Sequence, residues 1–164
     1  DLKKLNKDLV LNVVSSSTGS SRFTIPEDES VDDKKLRITK TEYKKRYDEA
    51  YLKYLDGNYQ HALLLFNELL DLENINDLSD NCQYWIGEIH YSLKNYNQAI
   101  KAFNKVFGYK SNNKGVYAQY KLGLCYLNTK DTNNAMDAFG KVITNYPRQT
   151  DLVKKSESFI KKWN

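Results

Sequence analysis

Two histidines, two cysteines and one acidic run are the residues of this 164-residue chain that could ligate a metal or carry a nucleophile. Their spacing supports neither role. Cys82 and Cys125 stand in no CxxC or Cys/His pattern, so they read as small helix-packing residues and not as zinc ligands or a disulfide framework. His61 falls just after a turn and His90 lies one turn after Gly87 on another helix; neither has a partner histidine or an adjacent nucleophile. The run Glu27-Asp28-Glu29 with Asp32-Asp33 lacks the spaced ligands and turn glycine of a calcium loop and reads as solvated. There is no Gly-rich phosphate loop, no HExxH and no strand-turn-helix setting for a catalytic serine. The expectation is a non-enzymatic protein with no cofactor, no metal and no catalytic residue.

The chemistry that the sequence does offer is that of contact. It holds 13 tyrosines against 2 prolines, 7 glycines and a single methionine, Met136. Tyr47, Tyr51 and Tyr54 stand at i, i+4 and i+7, which places them on one stripe of a helix. The net charge of +4 is too mild to argue for nucleic acid by itself. Mean hydropathy is −0.72, and no apolar run approaches the roughly 18 residues that a membrane span needs.

The elements that must position this stripe follow from punctuation. Short polar breaks at Gly57-Asn58, Lys94-Asn95 and Lys130-Asp131 lie 37 and then 36 residues apart. After each break comes the same pattern: Ala62 then Phe66, Ala99 then Phe103, Ala135 then Phe139, with Tyr59, Tyr96 or Thr132 three residues before the alanine. Before each break, at matching offsets, stand Ala50, Gly87 and Gly123, preceded by Glu49, Ile86 and Leu122. A fixed period in this range signals stacked helix-turn-helix units. Two antiparallel helices joined by a tight turn approach closely only where the crossing lacks bulk, so Ala50, Gly87 and Gly123 on the first helix should face Ala62, Ala99 and Ala135 on the second. The phenylalanine one turn later fills the space beside that contact. A last helix over residues 150–163 presents Leu152, Ser156, Phe159, Ile160 and Trp163 on one face, with Thr150 or Asp151 as its cap, and reads as a solvating end helix.

Upstream, residues 1–14 carry Leu2, Leu5 and Leu9 three and four apart, which reads either as the end of a coiled-coil heptad pattern or as a short amphipathic helix. Residues 15–38 shift to a Ser/Asp-rich composition with Gly19 and Pro26 and read as a flexible linker.

The small residue of the first helix and the Ala-x-x-x-Phe of the second, met three times, resemble the tetratricopeptide repeat family. The resemblance implies an all-α solenoid over residues 39–164, with repeats at about 42–76, 79–112 and 114–147 and a capping helix. Tyr146-Pro147 ends the third repeat in the manner of that family; Asn74 and Ser111 stand near the corresponding ends of the first two. Carried along by the period, the stripe becomes Tyr84, Glu88 and Tyr91, then Tyr120, Leu124 and Leu127, with Tyr117 extending it by one turn. Six of these nine period-related positions are tyrosine, where random placement of all 13 would give about 0.7. In the family this face lines the concave groove in which peptides dock, so Tyr47, Tyr51, Tyr54, Tyr84, Glu88, Tyr91, Tyr117, Tyr120 and Leu124 are the candidate partner-binding residues. Packing between neighbouring first helices is the other reading of the same stripe. Tyr59, Tyr96, Tyr126 and Tyr146 recur at repeat sites, and Tyr43 and Tyr109 have no assigned role.

The stretch Asn81-Cys82-Gln83-Tyr84-Trp85-Ile86-Gly87-Glu88, continuing through Asn95-Tyr96-Asn97-Gln98-Ala99 to Phe103, is similar to the YbgF (CpoB) family of Tol-Pal-associated periplasmic proteins. That resemblance implies a periplasmic adaptor that coordinates envelope constriction with peptidoglycan synthesis during cell division. TolA or a peptidoglycan synthase would be the partner, and an N-terminal coiled coil would make the protein a homo-oligomer. The alternative is a structural scaffold subunit of a large envelope machine: a flagellar motor, a secretion system or an outer-membrane assembly complex.

Overall fold

A computed structural model describes residues 38–72, 77–110 and 112–163, all within the unit Lys35–Asn164. The expected heptad end at 1–14, the linker at 15–38 apart from Ile38, the acidic run at 27–33, and Asn74 and Ser111 lie outside the described residues. Among the described residues there are seven helices and no strand: α1 (Lys40–Leu55), α2 (Tyr59–Asp71), α3 (Ser79–Ser92), α4 (Tyr96–Val106), α5 (Gly115–Asn128), α6 (Thr132–Asn145) and α7 (Thr150–Trp163). They form three hairpins, α1/α2, α3/α4 and α5/α6, stacked in order with α7 packed on the third, which is the all-α repeat solenoid that the periodicity predicts.

The three breaks fold into one turn. Gly57, Lys94 and Lys130 take φ of 72°, 60° and 62°, the left-handed conformation that ends a helix. The amide after each donates five residues back: Asn58 to Lys53, Asn95 to His90, Asp131 to Tyr126, at 2.8–2.9 Å. Each of those residues then caps the next helix, and Asn58 and Asp131 accept with their side chains from the amides of His61 and Asn134. Tyr59, Tyr96 and Thr132 are accordingly first residues of α2, α4 and α6.

The small and aromatic positions of the crossings are buried. Ala50, Ala62, Ala99 and Ala135 are fully buried, as are Phe66, Phe103 and Phe139. A Cβ placed on Gly87 would fall 2.5 Å from Phe103 Cε1, and one on Gly123 2.5 Å from Phe139 Cε1, so in the second and third hairpins the ring occupies the space a methyl would need. The periodicity does not show a second device. Gln83 Nε2 donates to the Ala102 carbonyl at 3.1 Å, and Gln119 Nε2, one period on, donates to Ala138 at 3.2 Å. Small side chains at Ala102 and Ala138 let the buried amide reach helix backbone, which satisfies a polar group inside the stack.

One residue gains a role and two expectations need correction. Tyr43, left without a role, is a fully buried core residue, its hydroxyl 3.5 Å from Ser79 Oγ and 3.7 Å from Cys82 Sγ, and burial holds its phenol far above the usual value. Trp163 is 53 % exposed, because the buried face of α7 is narrow and centres on Ser156, whose hydroxyl satisfies itself on the Leu152 carbonyl. Thr150 is already helical, and the helix is entered from Gln149, whose carbonyl accepts the Val153 amide at 2.9 Å. Cys82 and Cys125 are fully buried and free, as packing residues should be, and burial pushes both thiols up to about 12.

Candidate functional site

The first helix of each hairpin (α1, α3, α5) carries the tyrosine stripe, and these helices touch one another directly along the stack. The stripe converges on a residue that the tyrosine count did not include. Trp85 lies 4.8 Å from the Tyr51 ring, 4.9 Å from Tyr54 and 5.2 Å from Tyr84, and its Nε1 donates to the Tyr47 hydroxyl at 2.7 Å. Tyr51 and Tyr54 stack at 6.2 Å, and Tyr54 reaches Tyr59 across the turn at 5.8 Å. Each such ring pair contributes about 0.5–1.5 kcal/mol beyond area burial, so the cluster braces hairpin one against hairpin two. Burial, partly offset by the Trp85 hydrogen bond, pushes the Tyr47 phenol up to about 12.

The cluster continues onto α5. Tyr84, itself buried and in contact with Phe103, meets Tyr117 edge-on at 6.3 Å. Over this junction the Lys114 ammonium sits 5.6, 5.7 and 5.4 Å from the ring centres of Tyr84, Trp85 and Tyr117. The backbone of Lys114 is anchored by its amide, which donates to the buried Asp80 carboxylate at 3.1 Å. Tyr117 is 42 % exposed and gives the cluster its most open edge.

One turn further on, Glu88 is buried beside Lys121, with Nζ 2.7 Å from Oε2, and the same ammonium lies 4.6 Å over the Tyr91 ring. Burial raises the Glu88 carboxyl above the usual range, and the Lys121 charge opposes that rise. Its other oxygen, Oε1, is buried without a hydrogen bond of good geometry, although the nearby Tyr84 hydroxyl favours the charged form. Burial also raises the phenols of Tyr54, Tyr84, Tyr91 and Tyr120.

Of the nine candidate residues, then, Tyr47, Tyr51, Tyr54, Tyr84 and Tyr117 form one cluster, and Glu88 with Tyr91 forms a charged shelf beside it. Tyr84 and Glu88 are buried and act as floor, not as accessible surface. Tyr120 turns away to Phe139 and Phe159, at 5.7 and 6.5 Å, and helps seat α7; Leu124 is half-buried and joins no ring contact. Tyr84 and Tyr120 thus pack inside the stack, whereas Tyr51 and Tyr54 are half-buried and Tyr117 is exposed. Trp85 and Lys114 are the residues the stripe argument missed. A signal existed for Trp85, since the period relates it to the charged residues Asp48 and Lys121. No metal-holding group of His, Cys, Asp and Glu occurs among the described residues. No helix among them is long and apolar enough to cross a membrane.

Residues 81–113 and 117–148 each match a tetratricopeptide repeat family model. No curated protein matches the chain. Among solved structures, the type III secretion chaperone SycD of Yersinia enterocolitica, in complex with a peptide of the translocator YopD, is 18 % identical, with a TM-score of 0.65 over 77 % of this chain and 95 % of that one. PcrH of Pseudomonas aeruginosa, in complex with the chaperone-binding region of PopD, is 16 % identical, with a TM-score of 0.65 over 76 % and 92 %. A chain of the CopN–Scc3 complex is 20 % identical, with a TM-score of 0.63 over 98 % of each chain. At these identities the likeness is one of fold.

Proposed function

We propose that the chain is a non-catalytic protein-interaction adaptor that holds a segment of a partner protein against the aromatic face of α1, α3 and α5. The observation that carries this is the accessible edge of the cluster: Tyr51, Tyr54 and Tyr117 around Trp85, with a lysine poised over the rings. Tyrosine and tryptophan give large contact area at low entropy cost, and such residues dominate protein interfaces. The repeat fold supports the same reading, because SycD and PcrH, which share it, were solved with bound peptide segments.

Two settings suit such an adaptor. The resemblance of residues 81–103 to the YbgF family supports a periplasmic protein of the Tol-Pal system that binds TolA or a peptidoglycan synthase. The fold likeness to secretion chaperones supports a subunit or chaperone of a secretion machine. Fractionation of the native protein separates them: a periplasmic pool favours the first, a cytoplasmic pool the second.

The adaptor reading is tested by selecting ligands from a random displayed peptide library and titrating them against the wild type and a Tyr51→Ala, Tyr117→Ala variant. A loss of about tenfold in affinity with the helical signal and melting temperature retained is expected for a shared hot spot. Equal affinity for both proteins would overturn the assignment of the face.

A further inference from the structure

On the opposite side of α3 from the tyrosine stripe, an open cleft of about 250 Å³ lies between α2, α3 and α4. Leu63, Ile86 and Ala102 give it an apolar part beside the amides of Asn67, Gln83 and Gln98, and the exposed Lys101 and Lys105 line it from successive turns of α4. No carboxylate lines it, and among the described residues neither lysine makes an ion pair. His90 forms one wall, with Nδ1 buried and without a hydrogen-bond partner.

The solenoid supplies its own control for this site. One period on, Gln83, Ile86 and Ala102 become Gln119, Leu122 and Ala138, so the scaffold is unchanged. The functional positions change. His90 becomes Tyr126, a larger side chain, and Lys101 becomes Asp137, which pairs with Lys141 at 2.6 Å. On α6 the lysine is thus neutralised by a carboxylate one turn away, whereas α4 carries two like charges at i and i+4, an arrangement that weakens a helix. A pair of lysines with no ion-pair partner among the described residues, beside apolar side chains at the junction where the wall residue is smaller, has the form of a subsite for an anion.

We propose that this cleft is a second docking site, and that its occupant is an acidic side chain of a partner protein flanked by aliphatic residues. The volume suits that occupant: pockets for drug-sized ligands and cofactors run at about 300–1,000 Å³, and an open cleft just below that range accommodates one or two side chains. The carboxylate meets Lys101 and Lys105, and the aliphatic neighbour covers Leu63 and Ile86. Because Gln83 and His90 face the cleft while Tyr84, Trp85 and Tyr91 face the stripe, α3 can serve both surfaces at once.

The test uses the whole chain and two probe peptides, acetyl-Leu-Glu-Glu-Leu-amide and its Gln-Gln counterpart, followed by amide chemical-shift titration. Saturable shifts centred on Gln98, Lys101 and Lys105, with the acidic peptide binding at least about fivefold more tightly, are expected from charge complementarity. Free glutarate is the control; if it binds as tightly as the acidic peptide, the site is an adventitious anion site only and the proposal fails. The decisive variant is Lys101→Asp, which rebuilds the Asp137–Lys141 pairing and should abolish binding without lowering the melting temperature. Retained affinity in that variant, or equal affinity for the two peptides, would overturn the proposal. The Tyr51→Ala, Tyr117→Ala variant should bind the acidic peptide as the wild type does, which separates this site from the aromatic face.

Discussion

The Phe103 ring rests on the backbone of Gly87 so closely that a methyl at that position would fall 2.5 Å from Cε1. The third hairpin repeats the relationship with Phe139 and Gly123, while the first has Ala50 at the position of the glycine and Phe66 at that of the ring, both fully buried. Gly87→Ala is therefore expected to lower stability by about 1–3 kcal/mol through overpacking, despite the better helix propensity of alanine. Urea unfolding measures it, and a neutral or stabilising result would show that the Phe103 ring can retreat to admit a methyl. Enlarging the facing residue, Ala99→Leu, should cost a similar amount, about 1–3 kcal/mol, by the same mechanism.

The three left-handed turn residues are not equally suited to their conformation. Gly57 has no Cβ to crowd the following carbonyl, whereas Lys94 and Lys130 hold the same turn at a steric cost of roughly 1–2 kcal/mol each. Lys94→Gly and Lys130→Gly should each stabilise the chain by about 0.5–1 kcal/mol, because part of the relief is returned as unfolded-state entropy. The double variant should show an additive rise in melting temperature.

Glu88 and Lys121 should respond asymmetrically. Lys121→Ala leaves a buried carboxylate without its counter-charge and is expected to cost about 2–4 kcal/mol, whereas Glu88→Gln leaves a lysine that can reach solvent and should cost about 1 kcal/mol. Burial raises the Glu88 carboxyl, so its protonated form is the one that folding favours, and its contribution is lost as pH rises through the folded value. Without Lys121 to oppose that rise, the variant should gain stability relative to wild type on acidification from pH 7 toward pH 5. Parallel pH profiles would refute the assignment.

Alkaline conditions should destabilise the protein through its buried thiols as well as its buried phenols. Cys82 and Cys125 are held at about 12 against 9.0 for an exposed thiol, so both remain protonated in the folded chain while the unfolded chain ionises. Their contribution is complete below pH 9 and is lost as pH rises toward 12, with a slope approaching about 1.4 kcal/mol per pH unit for each thiol. Denaturant midpoints between pH 8 and pH 11 should fall, and a Cys82→Ala, Cys125→Ala variant should fall less steeply.

Much of the fold was legible because its requirements are local. A left-handed cap needs glycine or a tolerant polar residue, a close crossing needs a small one, and both recur at a fixed period, so the turns at residues 57, 94 and 130 and the Ala/Phe contacts could be read directly. Tyr43 was not legible: its period-related residues are Asp80 and Val116, and nothing in their types says that all three are buried. The glutamine bonds to Ala102 and Ala138 were equally hidden, since Arg46 and Leu65 stand at the matching positions of the first hairpin.

The sequence by itself determined the period, the hairpins and a tyrosine-rich face on alternate helices, because backbone sterics and helical spacing act within a few residues of chain. Only the tertiary structure decided which of those tyrosines are floor and which are surface, that Trp85 gathers them, and that Lys114 lies over three rings. It also decided that a cleft between α2, α3 and α4 is edged by two lysines, where the period-related positions on α6 form an ion pair. These outcomes depend on how side chains about 30 residues or more apart meet when one hairpin is laid on the next, a relation set by packing and not by spacing along the chain.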